Sequence, residues 1–302
     1  MMGRDGYNSQ KSKGKSVGYF ASIKRRKKIK DTIANIVLVF LVIFALGPIL
    51  FMVYGSLVSH DAVAQAKLTW PVRFSNYVEV FQKLPFGTYF RNSLIICFSV
   101  MVIALVIATL AGYALARYKF PGSGVFGILV LSTQMLPGMM FLLPLYLQFI
   151  RIQERIGIQM TNTLHGIIII YAAFYVPFSI WIIRGFFASI PGELEEAARI
   201  DGCNKFTAFL RVMLPLAVPG IVATAIYIFL MAWDELLFAQ VLLQKGDVFT
   251  IPVGIRAFIA HTLARYDLLM AAGTVVTIPV LIMFFSMQKK FISGMTAGAV
   301  KG

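Results

Sequence analysis

The stretch GELEEAARIDG, from Gly192 to Gly202, is a short polar segment between two of the most apolar runs of the chain. Four of the thirteen acidic residues of the protein lie within it: Glu193, Glu195, Glu196 and Asp201. A chain this apolar does not place scarce carboxylates in a lipid environment, where an ionised group is costly. The segment therefore marks a place where the chain leaves the membrane, and the sequence on either side of it decides the fold class.

The composition indicates a membrane protein. Of the 302 residues, 59% are hydrophobic and only 14% are charged, whereas soluble domains carry about 25% charged residues. Six windows lack Asp, Glu, Lys and Arg and are long enough to cross the bilayer as helices of about 20 residues. They are Thr32–Ser59, Asn92–Ala116, Phe120–Ile150, Ile156–Ile183, Val212–Trp233 and Leu268–Gln288. The sequence therefore predicts an all-α membrane protein with six transmembrane helices.

The basic residues predict how these helices are oriented. The net charge is +15, and ten of the 28 Lys and Arg residues lie in residues 1–31. A basic run on a soluble fold suggests nucleic acid, but one that precedes a spanning helix favours retention of that end in the cytoplasm. We therefore expect no nucleic-acid partner and both termini inside. The expected cytoplasmic segments are 1–31, 117–119, 184–211 and 289–302, and the outer segments are 60–91, 151–155 and 234–267.

The N-terminal region raises two further questions. Residues 1–23 are rich in Gly, Ser and Lys, which predicts a mobile tail. The motif AVAQA at Ala62–Ala66 resembles a signal-peptide cleavage site, but the preceding run of Thr32–Ser59 is much longer than a signal core of about 7–15 residues. The first span is therefore expected to stay as an anchor. Cys97 lies in a span and Cys203 in a cytoplasmic segment, which excludes a disulfide framework.

The third window contains helix breakers. Pro137, Gly138 and Pro144 remove backbone hydrogen bonds and predict a kinked helix. Such a helix is tolerated in a membrane when neighbouring helices satisfy the freed carbonyls, and it sometimes lines a cavity. The chain shows no inverted internal repeat, which weakens the alternative of a self-contained secondary transporter.

The polar segment and the residues after it read as two short amphipathic helices. Pro191 suits the start of the first, and Gly202 can adopt the left-handed conformation that ends it. Asn204 can cap a second helix, whose apolar positions are Phe206, Phe209, Leu210 and Met213. A first helix of about 13 Å is too short to be stable alone. The membrane surface and the bundle itself are possible supports, but the acidic face matches a basic soluble partner better than an anionic leaflet.

This loop resembles that of the permease subunits of ATP-binding-cassette importers, which follow the pattern E-A-A-x3-G-x9-I-x-L-P. The matching residues are Glu196, Ala197, Ala198, Gly202, Val212, Leu214 and Pro215, with Val212 the one departure. The resemblance implies a type I importer permease fold whose loop is a coupling helix seated in a cleft of the ATPase. Gly202 would be its elbow, Asp201 would belong to the same surface, and Glu196 and Glu195 would meet basic groups of the ATPase.

Two further stretches are similar to carbohydrate permeases of the type of the second maltose-system subunit. One is FLMAWDELLFAQVLL, Phe229–Leu243, where Asp234 replaces the usual Asn; the other is the ending SGMTAGAVKG, Ser293–Gly302. The resemblance covers residues 30–302 and implies that the tail residues Thr296, Lys301 and Gly302 reach the ATPase. It divides the chain into a basic tail (1–31), a permease domain (32–288) and a C-terminal tail (289–302). Within that domain lie the coupling loop 185–213 and the outer loops 60–91 and 244–266.

Several residues are candidates for the transport path. If the fifth helix continues beyond Trp233, then Asp234 and Glu235 lie near the membrane, where Trp233 offers a stacking face and the carboxylates accept hydroxyl groups of a sugar. Alternatively, Asp234 ends the span at the outer surface. The other polar candidates within or beside spans are Gln134, Asn92 and Tyr227, which more often bond neighbouring helices than ligands.

Enzyme functions are disfavoured. The three histidines, His60, His165 and His261, lie in separate segments, and no Cys/His cluster predicts a metal. No G-x-x-x-x-G-K-[ST] motif is present, so ATP and Mg²⁺ are expected on a partner subunit. The resemblance implies a permease that works with a second homologous permease, an ATPase dimer and an extracytoplasmic solute-binding protein in a bacterial or archaeal cytoplasmic membrane. The expected cargo is a sugar or oligosaccharide; the alternatives are a non-sugar solute and a membrane scaffold that does not transport.

Overall fold

The computed structural model describes the backbone of residues 5–65, 67, 69, 72–261 and 265–299, and the side chains of residues 28–65, 67, 69, 72–259 and 265–288. The residues so described form helices, turns and loops, without a β-strand. The chain divides into two compact units, Met1–Gly55 and Ser56–Gly302. The all-α class predicted from the uncharged windows is confirmed.

The first unit consists of helix α1 (Asp5–Gly55). Its part Lys28–Gly55 is long and apolar enough to span a membrane. The segment for which the composition predicted a mobile tail is helical from Asp5 onwards. Lys and Arg have high helix propensity, and adding residues to an existing helix avoids the cost of starting a new one.

The second unit contains all the other helices, with 3₁₀ turns at Thr133–Met135, Gly138–Phe141 and Gly246–Val248 and a π turn at Phe209–Met213. The helices are α2 (His60–Ala64), α3 (Ser75–Lys83), α4 (Phe86–Arg117), α5 (Ser123–Ser132), α6 (Leu142–Ile156), α7 (Leu164–Ser189), α8 (Gly192–Ile200), α9 (Lys205–Ala208), α10 (Leu214–Trp233), α11 (Leu237–Leu242), α12 (Ile251–His261) and α13 (Tyr266–Ala299).

Over the described residues, five helical stretches are long and apolar enough to span a membrane, and a bent pair makes a sixth if it is counted as one span. The five are Lys28–Gly55, Phe86–Arg117, Leu164–Ser189, Lys205–Trp233 and Tyr266–Gln288. Within the second unit, α4 packs along α7, and α10 packs against α4, α7 and α13. Their facing side chains form two apolar clusters, a large one around Ile96, Tyr171 and Trp233 and a smaller one around Tyr113, Phe187 and Met213.

The third predicted span is broken, as its prolines indicated. The segment Ser123–Met135 meets Gly138–Ile156 at an angle of 89°. The break falls at Pro137, whose ψ of 121° leaves the helical region. Pro144 does not contribute to the bend, because it lies in the first turn of α6, where a backbone N–H has no partner within the helix.

Several helix boundaries differ from the uncharged windows. Helix α7 spans Leu164–Ser189 rather than Ile156–Ile183, and α6 runs on through the predicted outer segment 151–155. The turn between them contains Gly157 and Asn162, both with positive φ. The uncharged window Ile156–Ile183 therefore located the apolar region but not the first residue of α7. The reason is that Gly and short polar residues interrupt a helix without carrying charge.

Candidate functional site

Helix α8 and its C-terminal turn form the loop that the sequence singled out. Pro191 occupies the position before the first helical residue, and Glu193 and Glu195 lie in the first turn, beside the positive end of the helix dipole. Gly202 has a φ of 92°, and the amide of Cys203 donates to the carbonyl of Ala198 over 3.0 Å. These are the features of a glycine C-cap. The predicted elbow at Gly202 is confirmed.

The second predicted helix is continuous with the fifth span. The side-chain oxygen of Asn204 accepts a hydrogen bond of 2.8 Å from the amide of Thr207, as predicted for a cap. Helix α9 has four residues, and a π turn then leads into α10 at Leu214. Leu214 is partly buried and Pro215 is exposed in the first turn of α10. Helical backbone therefore continues without a break from α9 into α10.

The exposed side of this loop combines acidic and apolar groups. We call it the coupling surface, and its exposed acidic and apolar residues include Glu193, Glu196, Ala197, Ile200, Asp201 and Phe206; the basic Arg199 and Lys205 are exposed on the same loop. Ile200 is 86% exposed and Phe206 is 66% exposed, although both lie outside the apolar windows. Ala198, on the opposite side of α8, is buried. Large apolar side chains grouped on a polar loop are characteristic of interaction sites.

Glu195 turns away from the coupling surface and contacts helix α4. The hydroxyl of Tyr113 donates to its Oε1 over 2.7 Å, and Nε of Arg117 lies 3.6 Å from its Oε2. The side chains of Arg117 and Glu195 are 14% and 15% exposed. Arg117 also donates from Nη2 to the carbonyl of Ile190 over 2.7 Å. The structure therefore engages Glu195 within the chain, whereas the sequence predicted that it meets the ATPase.

A polar cleft of about 280 Å³ opens beside this contact. Its lining residues are Arg117, Tyr118, Gly192, Glu195, Glu196, Arg199 and Lys205. The ammonium group of Lys205 lies 5.4 Å from the ring centre of Tyr118, at a distance suited to a cation–π contact. The loop thus rests on the cytoplasmic end predicted for α4 through both charged and aromatic groups.

Trp233 does not offer an open stacking face in this conformation. Its indole is 4% exposed, stacks on Phe229 at 5.4 Å between ring centres, and receives the edge of Phe90 at 5.7 Å. Helix α10 ends at this residue, and the exposed Asp234 follows it. This end of the helix fits the alternative in which Asp234 ends the fifth span at the outer surface, and the enclosure of Trp233 conflicts with its predicted stacking role.

Glu235 is fixed by three hydrogen bonds. Tyr171 donates its hydroxyl to Oε2, and the amides of Phe238 and Ala239 donate to the carboxylate over 2.9 and 3.2 Å. The carboxylate therefore satisfies the start of α11 and ties it to α7. This arrangement conflicts with the prediction that Glu235 is free to accept hydroxyl groups of a sugar.

Asn92 also has a structural partner. Its buried side-chain amide donates to the carbonyls of Asp247 and Phe249 over 2.9 and 3.1 Å, which ties α4 to the segment after α11. Asn162 supports the same segment by accepting from the amides of Gln244 and Lys245 over 2.6 and 3.1 Å. The tip of this outer loop, residues 244–247, is exposed, whereas Thr250 and the residues that begin α12 are largely buried.

Gln134 and Tyr227 are the polar candidates that remain accessible besides Asp234. Gln134 is exposed, donates to the carbonyl of Phe174 over 3.0 Å, and lines a groove of about 310 Å³ at the bend between α5 and α6. Tyr227 is half-buried, with its ring 4.9 Å from that of Phe178. Both residues therefore contact α7, at positions one helical turn apart. Of the predicted tail residues, the side chain of Thr296 and the whole of Lys301 and Gly302 lie outside the described residues.

A cluster of ions connects two segments of the second unit that are predicted to lie outside, 60–91 and 234–267. Arg265 contacts Asp267 over 2.7 Å and Glu79 over 3.4 Å, and Lys83 contacts Glu79 over 2.6 Å. The hydrogen bond from Lys83, reinforced by the charge of Arg265, lowers the pKa of Glu79 below its ordinary value against a smaller opposing effect of burial. The hydrogen bonds and charge of Asp267 raise the pKa of Arg265. Neither the charge count nor the helix pattern predicted this cluster.

Comparison with known proteins identifies the chain. The family described as "binding-protein-dependent transport system inner membrane component" matches residues 104–297, which include α7 to α12 and the coupling surface. The chain belongs to this family. It is therefore a multi-pass permease subunit of an importer that depends on a binding protein, and the resemblance seen in the loop from Glu196 to Pro215 is confirmed.

Individual relatives extend over nearly the whole permease. The probable ABC transporter permease protein YurM of Bacillus subtilis (strain 168) is 35% identical over 269 residues, which cover 88% of this chain and 87% of the relative. The trehalose/maltose transport system permease protein MalG of Thermococcus litoralis is 33% identical over 282 residues, with coverages of 92% and 99%. The arabinooligosaccharides transport system permease protein AraQ of Halalkalibacterium halodurans is 35% identical, with coverages of 75% and 79%.

Solved structures confirm the fold of the permease. A chain of a bacterial ABC transporter involved in the import of the acidic polysaccharide alginate superposes with a TM-score of 0.72 and 25% identity, covering 88% of this chain and 98% of that one. A chain of an alginate transporter in complex with a pentasaccharide-bound periplasmic protein has a TM-score of 0.66 at 18% identity, with coverages of 89% and 95%. The type I importer permease fold implied by the sequence is thereby established.

Proposed function

We propose that this permease imports a sugar or oligosaccharide by alternating access, together with a second homologous permease, a separate ATPase dimer and a solute-binding protein. ATP and Mg²⁺ bind to the ATPase, and both termini of this chain lie in the cytoplasm. The observation that carries the proposal is the coupling surface, where the exposed Glu196 lies one helical turn before the exposed Ile200 on α8. Its carboxylates and exposed apolar side chains suit a partner surface that combines basic and apolar groups.

The sugar class is supported by the relatives. Two of the relatives described above are named for the transport of trehalose and maltose and of arabinooligosaccharides, which are all carbohydrates. The accessible polar groups Gln134, Tyr227 and Asp234 can donate to or accept from hydroxyl groups.

The ATPase dimer supplies the energy in this proposal. Among the residues that the structure describes, no three His, Cys, Asp or Glu side chains form a group able to hold a metal. The chain also lacks a phosphate-binding glycine motif, so its own part is mechanical. Closure of the ATPase dimer displaces α8, and the continuous path from α9 through the π turn passes this displacement to α10. Each ligand drives the cycle only because it binds one conformation better than the other.

Affinity purification of the tagged chain from its native membrane tests this assembly. The expected result is recovery of one homologous permease, one ATPase and, with a chemical cross-linker, one binding protein. The complex is then reconstituted in liposomes with the binding protein and ATP, and uptake of trehalose, maltose and arabino-oligosaccharides is measured. Uptake of one of them only when ATP is present supports the proposal, whereas uptake by this chain alone contradicts it.

A further inference from the structure

The contact between α8 and α4 has features that a simple surface ion pair lacks. Glu195 and Arg117 are both largely buried, and the pair is supplemented by the hydroxyl of Tyr113. Removing one partner from such a contact leaves an uncompensated buried group. Glu195 contacts α4, whereas its neighbour Glu196 is exposed. The two adjacent carboxylates of α8 therefore lie on different sides of the helix, one towards the bundle and one on the exposed surface.

Tyr113 lies where four elements meet. Its ring, on α4, is 5.3 Å from that of Phe187 at the end of α7 and 4.6 Å from that of Phe209 in the π turn. Its hydroxyl reaches Glu195 on α8. A single side chain of α4 therefore contacts the helix before the loop, the loop helix itself and the turn that leads into α10.

Arg117 secures the hinge on the other side of α8. It donates to the carbonyl of Ile190, the residue that connects α7 to α8. Its Nε is buried, has no hydrogen bond among the described residues, and lies 3.6 Å from Glu195. A shift of about 0.7 Å would bring Nε to the ordinary distance of a charged hydrogen bond. The contact can therefore tighten when α8 is pressed towards α4.

We propose that Tyr113 and Arg117 are positioning residues that join α8 to α4 through Glu195, so that displacement of α8 moves α4 as well as α10. The proposal rests on the proposed function, because it concerns how force from the ATPase enters the bundle. Without this connection, α8 is attached through the backbone at Ile190 and through the π turn, and part of its displacement is taken up within the loop.

The test uses the complete complex in liposomes, with the sugar that the wild-type vesicles take up from the panel above. The variants are Glu195→Gln, Tyr113→Phe and Arg117→Lys, and ATP hydrolysis and uptake are measured in the same vesicles. The matched control is Glu154→Gln, the same change at an exposed carboxylate of α6, outside the coupling loop. We expect the three variants to hydrolyse ATP at near the wild-type rate and to transport roughly five- to tenfold less sugar per ATP, at the lower end of typical coupling energies.

Two further comparisons separate this role from a merely structural one. The double variant Tyr113→Phe/Glu195→Gln is expected to transport no less than the worse single variant, because the two residues act in one contact. Thermal stability of the purified variants is measured in parallel. Equal losses of hydrolysis and uptake, together with lower stability, would overturn the proposal, as would an unchanged ratio of uptake to hydrolysis. If the wild-type complex shows no ATP-dependent uptake, the proposed function itself fails.

Discussion

Phe186 on α7 lies so close to Gly220 on α10 that a Cβ atom at residue 220 would be 2.2 Å from Cγ of the ring and 2.7 Å from Cβ of Phe186. The obstructing atoms include the stem of the side chain, which cannot rotate away without moving the helix. This contact explains how α7 and α10 approach one another, because small residues allow the backbones of membrane helices to come close. It also leads to a prediction that does not depend on function.

We expect Gly220→Ala to lower the free energy of unfolding by about 1–3 kcal/mol, the usual cost of overpacking. The measurement is the thermal or denaturant midpoint of the purified permease in detergent. Gly185→Ala is the matched control, because a Cβ atom at residue 185, next to Phe186, meets no atom within 4 Å. The control should be neutral or slightly stabilising, since Ala favours a helix over Gly. Equal midpoints for the two variants would contradict the close contact.

A second prediction concerns the left-handed residue of the elbow. A Cβ atom at Gly202 meets nothing within 4 Å, so its φ of 92° and not space makes glycine necessary. We expect Gly202→Asn to be tolerated better than Gly202→Ala, and Gly202→Val to be worst, because Asn adopts positive φ more readily than β-branched residues do. Hydrogen exchange of residues 192–208 should rise in the same order. If Asn and Val behave alike, the elbow does not need its left-handed conformation.

A third prediction separates neighbouring carboxylates. Glu235→Gln should lower the free energy of unfolding by about 1–3 kcal/mol, because Gln keeps only one of the two acceptor oxygens that bind Tyr171 and the amides of α11. Asp234→Asn is the control, since Asp234 is exposed. Its stability should match the wild type, and any effect should be confined to the concentration dependence of uptake. A stable Glu235→Gln protein with weakened sugar uptake would restore the original prediction of a ligand contact.

The outer ion cluster predicts an acid-sensitive contribution to stability. The pKa of Glu79 in the folded protein is below that in the unfolded chain, mainly through the hydrogen bond from Lys83. Glu79 therefore stabilises the fold above the unfolded value of about 4.3, and this contribution is lost as the pH falls through the lower folded value. The melting temperature should fall over that range less steeply in Glu79→Gln than in the wild type. Parallel curves for the two proteins would show that the cluster contributes nothing.

The parts of the fold that follow from local composition were predictable. The absence of charge located the apolar stretches, Pro137 marked the broken helix, and Gly202 marked the elbow. The partners of polar side chains were not predictable, because they depend on distant segments: Asn92 meets Asp247 across 155 positions, and Tyr171 meets Glu235 across 64.

The residues Tyr113 and Arg117 were missed for the same reason. Arg117 was counted as a topological charge at the end of a span, and Tyr113 was one of many aromatic residues in an apolar run. Their importance comes from the side of α4 that faces the loop, where they meet Glu195. The sequence offered one signal of this contact. Tyr113 and Arg117 are polar residues four positions apart, on one face of a helix, at its predicted cytoplasmic end.

The tip of the predicted outer loop, residues 244–247, is held by two distant asparagines through its main chain. Asn92 holds the carbonyls of Asp247 and Phe249, and Asn162 holds the amides of Gln244 and Lys245. Asn92 and Asn162 bond only to main-chain atoms of this segment. The side chains of residues 244–247 can therefore be changed without loss of these hydrogen bonds. The tip is thus a natural grafting position, where a foreign tetrapeptide can be inserted while both asparagine contacts are kept.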